Sequence, residues 1–287
     1  MRLIYHLEDA RLHEIFQSAY KKGHSTETAF TRIHNDILRA IDDGECVILV
    51  LLDLSAAFDT VDHDILITRL KYRFGITGKA LGWTQLYLSG RTQFVKIGAE
   101  RSSSRNLFCC VPQGSVLGSI LYSMYTSPLT GITNKHNTNY HFYADDSQIY
   151  LSFKPSAASE PTTSKLRIES CIHDVNSWMS ANKFMLNHYK TELLVLHVRH
   201  RPQPPLESIL VCSDDLLIEL SKEYRCVVQH CHVYDKQINS ICHSAFYHLR
   251  NIAQISKHIS FRHRETLIHA FVTFKIDHCN TLLSGRS

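Results

Sequence analysis

The chain has 287 residues, 44% of them hydrophobic and 20% charged, a composition that supports a sizeable buried core and excludes intrinsic disorder. The formal net charge of +4 permits a polyanionic partner without demonstrating one. The nine cysteines are odd in number and include no CxxC pair, which argues against a disulfide framework and for a reducing intracellular compartment, nucleus or cytoplasm.

The opening residues, Met1 to Ala10, show neither a signal peptide nor a transit pattern, so no targeting signal is identified. Between Thr26 and Asp43 apolar residues recur at Ala29, Ile33, Ile37, Leu38 and Ile41, close to a 3.6 period, which predicts an amphipathic helix ended by Gly44. Val47 to Leu52 follows as an uninterrupted apolar run, the pattern of a strand covered on both faces. It stops at Asp53, far short of the roughly 20 apolar residues a membrane span needs. Helical patterns are expected over Val61 to Phe74 and Lys79 to Leu88, short strands over Thr92 to Ile97 and Leu107 to Val111, and a helix over Ser115 to Tyr125 after the turn Pro112-Gln113-Gly114.

Tyr140 to Tyr143 and Gln148 to Phe153 read as a β-hairpin whose connection, Ala144 to Ser147, carries an acidic pair. A loop is expected from Pro155 to Ser164, then a helix to Ala181, a strand over Leu193 to Val198, and a proline-rich connector over Arg201 to Pro205. The remainder predicts helices over Gln237 to Ile255 and Arg262 to Ile276. Basic clusters at Lys21 and Lys22, at Arg69, Lys71 and Arg73, and at His197 to Arg201 could meet phosphates, or serve only as solvated surface. Cys226, His230, Cys231, His232 and Cys242 match no common zinc spacing.

A strand ending in one aspartate, followed much later by a hairpin bearing two, sets Asp53, Asp145 and Asp146 apart. Hard oxygen ligands suit magnesium. Two such ions about 4 Å apart can activate a hydroxyl and stabilise a leaving phosphate group. Taken singly, each aspartate reads equally as a turn or cap residue, and only their order and context give them weight. Asp59 and Asp62 precede a helix, where carboxylates cap free amides.

The stretches Gln17 to Thr28 (QSAYKKGHSTET), Leu51 to His63 (LLDLSAAFDTVDH), Val111 to Gly118 (VPQGSVLG), Tyr143 to Asp146 (YADD) and Leu186 to Glu192 (LNHYKTE) together resemble reverse transcriptases of non-LTR retrotransposons, the long interspersed elements of animals. The likeness continues through His243 to Asn251 and Ile276 to Leu283. It implies an α/β right-hand polymerase fold: residues 1–45 as partial fingers, 46–200 as a palm with an antiparallel sheet and interleaved fingers elements, and 201–287 as a primer-grip and thumb-like helical region. It implies RNA-directed DNA synthesis on an RNA template and DNA primer from deoxynucleoside triphosphates, with two Mg2+ ions, or Mn2+ in their place, held by Asp53, Asp145 and Asp146.

The resemblance also implies that backbone near Leu54 meets the triphosphate and that Phe58 blocks a ribose 2′-hydroxyl. Gln113 and Gly114 would admit the nascent base pair. Lys190 would stabilise the departing pyrophosphate, and Lys21 or Lys22 would grip the triphosphate. Departures from the family pattern are a short lead into Gln17, which implies missing fingers, no endonuclease region, Ser119 where a proline is usual, and Tyr224-Arg225-Cys226-Val227 at the primer grip.

Two rivals stay open at this point. One is an inactive truncated remnant that at most binds nucleic acid. The other is an RNA-dependent RNA polymerase, against which Ala144 and Phe58 speak.

Overall fold

The computed structural model describes residues 2–155, 159–197, 206, 208–210, 217–219 and 232–277. The proline-rich connector, Cys226, His230 and Cys231 of the weighed zinc ligands, and the primer-grip residues Tyr224 to Val227 lie outside these.

A short helix α1 (Arg2–Asp9) leads into α2 (Thr26–Asp42). Ser25 caps α2: its hydroxyl accepts from the Thr28 amide while the Thr28 hydroxyl accepts from the Ser25 amide, satisfying two donors at once. Strand β1 (Cys46–Leu52) follows, then β2 (Leu54–Ser55). Next come α3 (His63–Tyr72) and α4 (Gly78–Leu88). Asp62 caps α3, accepting from the Asp64 and Ile65 amides at 3.0 Å each, so the helix starts after Val61. Asp59 does not cap; its carboxylate faces the Cys110 thiol at 3.7 Å.

The expected strand over Thr92 to Ile97 is broken into β3 (Thr92–Gln93) and β4 (Lys96–Ile97), answered by β5 (Glu100–Arg101) and β6 (Arg105–Asn106). Leu107 to Val111 forms no regular strand beyond a single bridge from Cys109 to Asp62. All four short strands are solvent-exposed, so no buried face holds them in longer ladders.

Helices α5 (Val116–Thr126) and α6 (Leu129–Lys135) precede the hairpin β7 (Asn139–Tyr143) and β8 (Asp146–Phe153). Helix α7 (Glu160–Ala181) begins within the segment expected as a loop, because Pro161 in the first turn is tolerated where amides are unpaired anyway. The chain then passes through β9 (Met185–Leu186), β10 (Glu192–Leu196), β11 (Ser208–Leu210) and β12 (Leu217–Glu219) to α8 (His232–Ile255). A 3-10 turn, α9 (Phe261–Ile268), a π-helical turn over His269–Thr273 and α10 (Phe274–Asp277) follow among the described residues.

The central sheet has the order β10-β1-β8-β7, antiparallel throughout. Strand β1 is apolar along its length because helices cover both faces. Ile48 and Val50 enter the main core with Leu66, Leu121, Tyr122, Ile168, Ile172 and Met179. Val47 and Leu49 face α2 through Ile37 and Ile41. Continuous apolarity is a feature of two-sided burial and does not require parallel strands. Each fully buried side chain of this size contributes about 1.5–3 kcal/mol. Arg69 ties α3 to the far side of the core: it donates to the Asn182 side chain at 2.6 Å and to the Tyr125 carbonyl, and lies over the Tyr125 and Trp178 rings.

Candidate active site

Antiparallel register brings the acidic residues together. Leu52 pairs with Ser147, and Tyr143 pairs with Asp146. Asp53, one step past Leu52, therefore leaves the sheet at the same end as Asp146. The hairpin connection is tighter than expected from sequence: only Ala144 and Asp145 form the turn, and Asp146 is already the first residue of β8. Asp145 and Asp146 thus come from a turn and a strand, and their side chains leave the backbone differently.

The electrostatics follow from this crowding. The Asp146 carboxyl is raised above its ordinary range by burial first, then by the charges of Asp145 and Asp53, although part of its side chain is open to solvent. Lys190 Nζ stands 3.6 Å from Asp53 Oδ2, and its side chain is otherwise largely exposed. Asp53 Oδ2 is buried and accepts no hydrogen bond. The Tyr122 hydroxyl is likewise buried without a hydrogen-bond partner, and burial and then Asp145 push it well above its ordinary range. A carboxylate oxygen shielded from solvent and without a hydrogen bond, its one neighbouring cation among the described residues being the Lys190 ammonium at ion-pair distance, fits a hard cation, as does an all-oxygen donor set. Among the described residues no group of three or more His, Cys, Asp or Glu side chains forms a ready-made cluster for a metal ion. The three carboxylates share a field without converging.

Around this end of the sheet the other residues singled out from sequence take different places. Leu54 is buried and pairs with Leu186, and the Asn187 amide donates to the Asp53 carbonyl at 2.9 Å. Asn187 in turn accepts from the Lys190 amide at 3.1 Å, which sets Lys190 over Asp53. Phe58 is half-buried and stacks on Tyr122, with ring centroids 4.5 Å apart; Tyr20 meets its ring edge-on at 6.5 Å.

Gln113 and Gly114 are exposed in the turn before α5. Gly114 sits at φ 80° with open space where a side chain would be, so backbone conformation requires glycine there. Gly118 has a steric role, since a Cβ would stand 2.4 Å from the Pro112 carbonyl.

Lys22 is exposed. Lys21 is turned inward: its ammonium donates to the Glu14 carbonyl, and burial lowers its pKa.

Two residues had no assigned role in the sequence reading. Tyr20, at φ 62°, projects beside Phe58 and next to Ser119 and Asp145. Gln17 is buried, and its side-chain amide holds both polar groups of Ala144. Nε2 donates to the Ala144 carbonyl at 3.2 Å, and Oε1 accepts from the Ala144 amide at 3.0 Å and the Ala19 amide at 3.0 Å. Ala144 lies at φ 56°, a left-handed conformation that costs a non-glycine residue about 1–2 kcal/mol. The signal for Gln17 was its place at the head of QSAYKKG, but only the fold reveals that this segment runs along β7, with the Ser18 amide donating to Phe142 and the Phe142 amide to Phe16.

Comparison with known proteins bears on the fold and the family. A telomerase from Candida tropicalis, solved in complex with a TWJ fragment of telomeric RNA, superposes with a TM-score of 0.52 at 12% identity, covering 98% of this chain and 46% of that one. The shared architecture is the right-hand polymerase fold. The probable RNA-directed DNA polymerase from transposon BS of Drosophila melanogaster is 39% identical over 113 residues, 39% of this chain and 12% of that protein. That from the X-element transposon of the same organism is 25% identical over 208 residues, 72% of this chain and 22% of that protein. The chain thus spans less than a quarter of the length of these relatives. The family model for reverse transcriptase (RNA-dependent DNA polymerase) matches residues 2–208, and with that match over most of its length the chain belongs to the reverse transcriptase family.

Proposed function

We propose that the chain carries out RNA-directed DNA synthesis, adding deoxynucleotides to a primer 3′-hydroxyl, with Asp53, Asp145 and Asp146 as the residues that hold the metal. The observation that supports this reading is that three carboxylates stand at one end of an antiparallel sheet within one another's field, with Asp53 Oδ2 buried and lacking a hydrogen bond. Membership in the family implies dependence on divalent metal; the ions proposed are two Mg2+, with Mn2+ able to replace them. When bound, they activate the attacking hydroxyl and stabilise the leaving pyrophosphate.

The chain's own groups do the rest. Lys190 neutralises charge gathering on the pyrophosphate side, from a position already set over Asp53. Backbone at Leu54 faces the triphosphate. Lys22 is free to meet the phosphates, whereas Lys21 reaches them only on releasing the Glu14 carbonyl. Phe58, backed by the fully buried Tyr122, cannot retreat from a 2′-hydroxyl and so selects deoxynucleotides. Gln113 and Gly114 leave an open backbone surface for the nascent pair. In this reading residues 1–45 act as part of the fingers, 46–200 as the palm and 201–287 as the primer-grip and thumb-like region, located in the nucleus or cytoplasm. Among the described residues no helix is long and apolar enough to cross a membrane.

Template and primer would be held chiefly through phosphates and 2′-hydroxyls, so binding is expected to be salt-sensitive and largely indifferent to sequence. Primer extension by the purified chain on poly-rA with oligo-dT, in Mg2+ or Mn2+, tests the reading. Incorporation of dTTP and not UTP supports it, and preferential use of UTP transfers the chain to RNA synthesis.

A further inference from the structure

We infer that Gln17 is a positioning residue of the polymerase site, the clamp that holds the strained turn from which Asp145 projects; this rests on the function proposed above. A two-residue turn at the tip of a hairpin ordinarily leaves the backbone polar groups of its first residue to water. Here both are taken by one buried side-chain amide. The Ala144 amide and carbonyl form a two-point contact with Gln17 at 3.0 and 3.2 Å, and a third bond from the Ala19 amide fixes Gln17 Oε1 from behind. Two contacts to one residue restrain rotation of its peptide planes, whereas a single hydrogen bond would leave a hinge.

Ala144 needs that restraint, because at φ 56° an alanine has no conformational preference of its own for this turn. A relaxed Ala144 would swing the next residue, Asp145, away from Asp53. The clamp's anchor is independent of the side chain. The segment carrying Gln17 is docked along β7 by main-chain bonds, Ser18 to Phe142 at 3.0 Å and Phe142 to Phe16 at 2.8 Å, and by the Ser18 hydroxyl against His141 at 2.9 Å. Gln17 can therefore be changed without undocking the segment. The arrangement makes the segment before α2 part of the catalytic geometry even though it supplies no metal ligand.

The test replaces Gln17 by methionine, which keeps the length and shape of the side chain and removes all three hydrogen bonds. In the full chain, Gln17→Met should speed amide exchange at Ala144 by about tenfold, the loss of one hydrogen bond of ordinary net strength. It should lower kcat for primer extension by about a hundredfold, the effect of roughly 1 Å of misplacement, while the dNTP KM stays unchanged. Adding Ala144→Gly to Gln17→Met should recover part of the lost kcat, because glycine adopts positive φ without the penalty; a merely structural loss would not be recovered there. Unchanged exchange at Ala144, an unchanged kcat, or a loss that Ala144→Gly cannot relieve overturns the clamp. If the unsubstituted chain extends no primer, the polymerase reading fails first, and amide exchange at Ala144 still decides whether Gln17 holds the turn.

Discussion

Phe58 shows how much a single side chain's meaning depends on its neighbours. As a half-buried phenylalanine after a strand it could be ordinary packing, yet its ring is stacked on Tyr122 and edged by Tyr20 at the carboxylate end of the sheet. Phe58→Val should raise ribonucleotide incorporation relative to deoxynucleotide incorporation, read as the ratio of kcat/KM values for UTP and dTTP. An unchanged ratio would reduce Phe58 to packing.

His141 belongs to the same hairpin and makes a different prediction. Burial, then Arg32 and Lys21, lower its pKa to about 4 from an ordinary 6.5. Below pH 6.5 the unfolded chain takes up a proton that the folded chain refuses until about pH 4, so this group removes stability progressively as pH falls through that window and has no effect above it. The Tm of His141→Gln should accordingly fall less between pH 6.5 and 4 than that of the unsubstituted chain. Parallel Tm profiles would show that His141 is not titrating in this way.

At the scale of elements, what could be read in advance followed burial. The run Val47 to Leu52 and the aromatic hairpin were legible because side chains that must avoid water declare their faces. The segment from Thr92 to Val111 was not: Leu107 to Val111 has the composition of a strand, but only Val111 at its end is buried and the ladder does not form. Helix α7 began earlier than expected since Pro161 marks a first turn as readily as it marks a loop.

The candidate site was legible as three aspartates on two strand ends. The two-residue turn and its Gln17 clamp were not, because both depend on a contact between residues 127 apart in sequence. Asp62 is the instructive contrast to the three carboxylates proposed to hold metal, since it accepts hydrogen bonds from two amides of α3. Asp62→Ala should cost about 1 kcal/mol in chemical denaturation and leave the Mg2+ dependence of extension where it was. A change in metal dependence would mean that Asp62 had been wrongly set apart.

For the whole molecule, an antiparallel sheet places carboxylates at one end, and helices packed on both of its faces hold it. In phosphoryl transfer the protein contributes mostly position and charge, so the parts of the hand most exposed to rearrangement are those that place template and nucleotide.

The central claim, that Asp53, Asp145 and Asp146 form the catalytic metal site, is tested most directly by metal-dependent primer extension in the unsubstituted chain and in Asp145→Asn, both verified as folded. The account predicts extension that requires Mg2+ or Mn2+ and disappears in Asp145→Asn. Equal extension by the two proteins would contradict it.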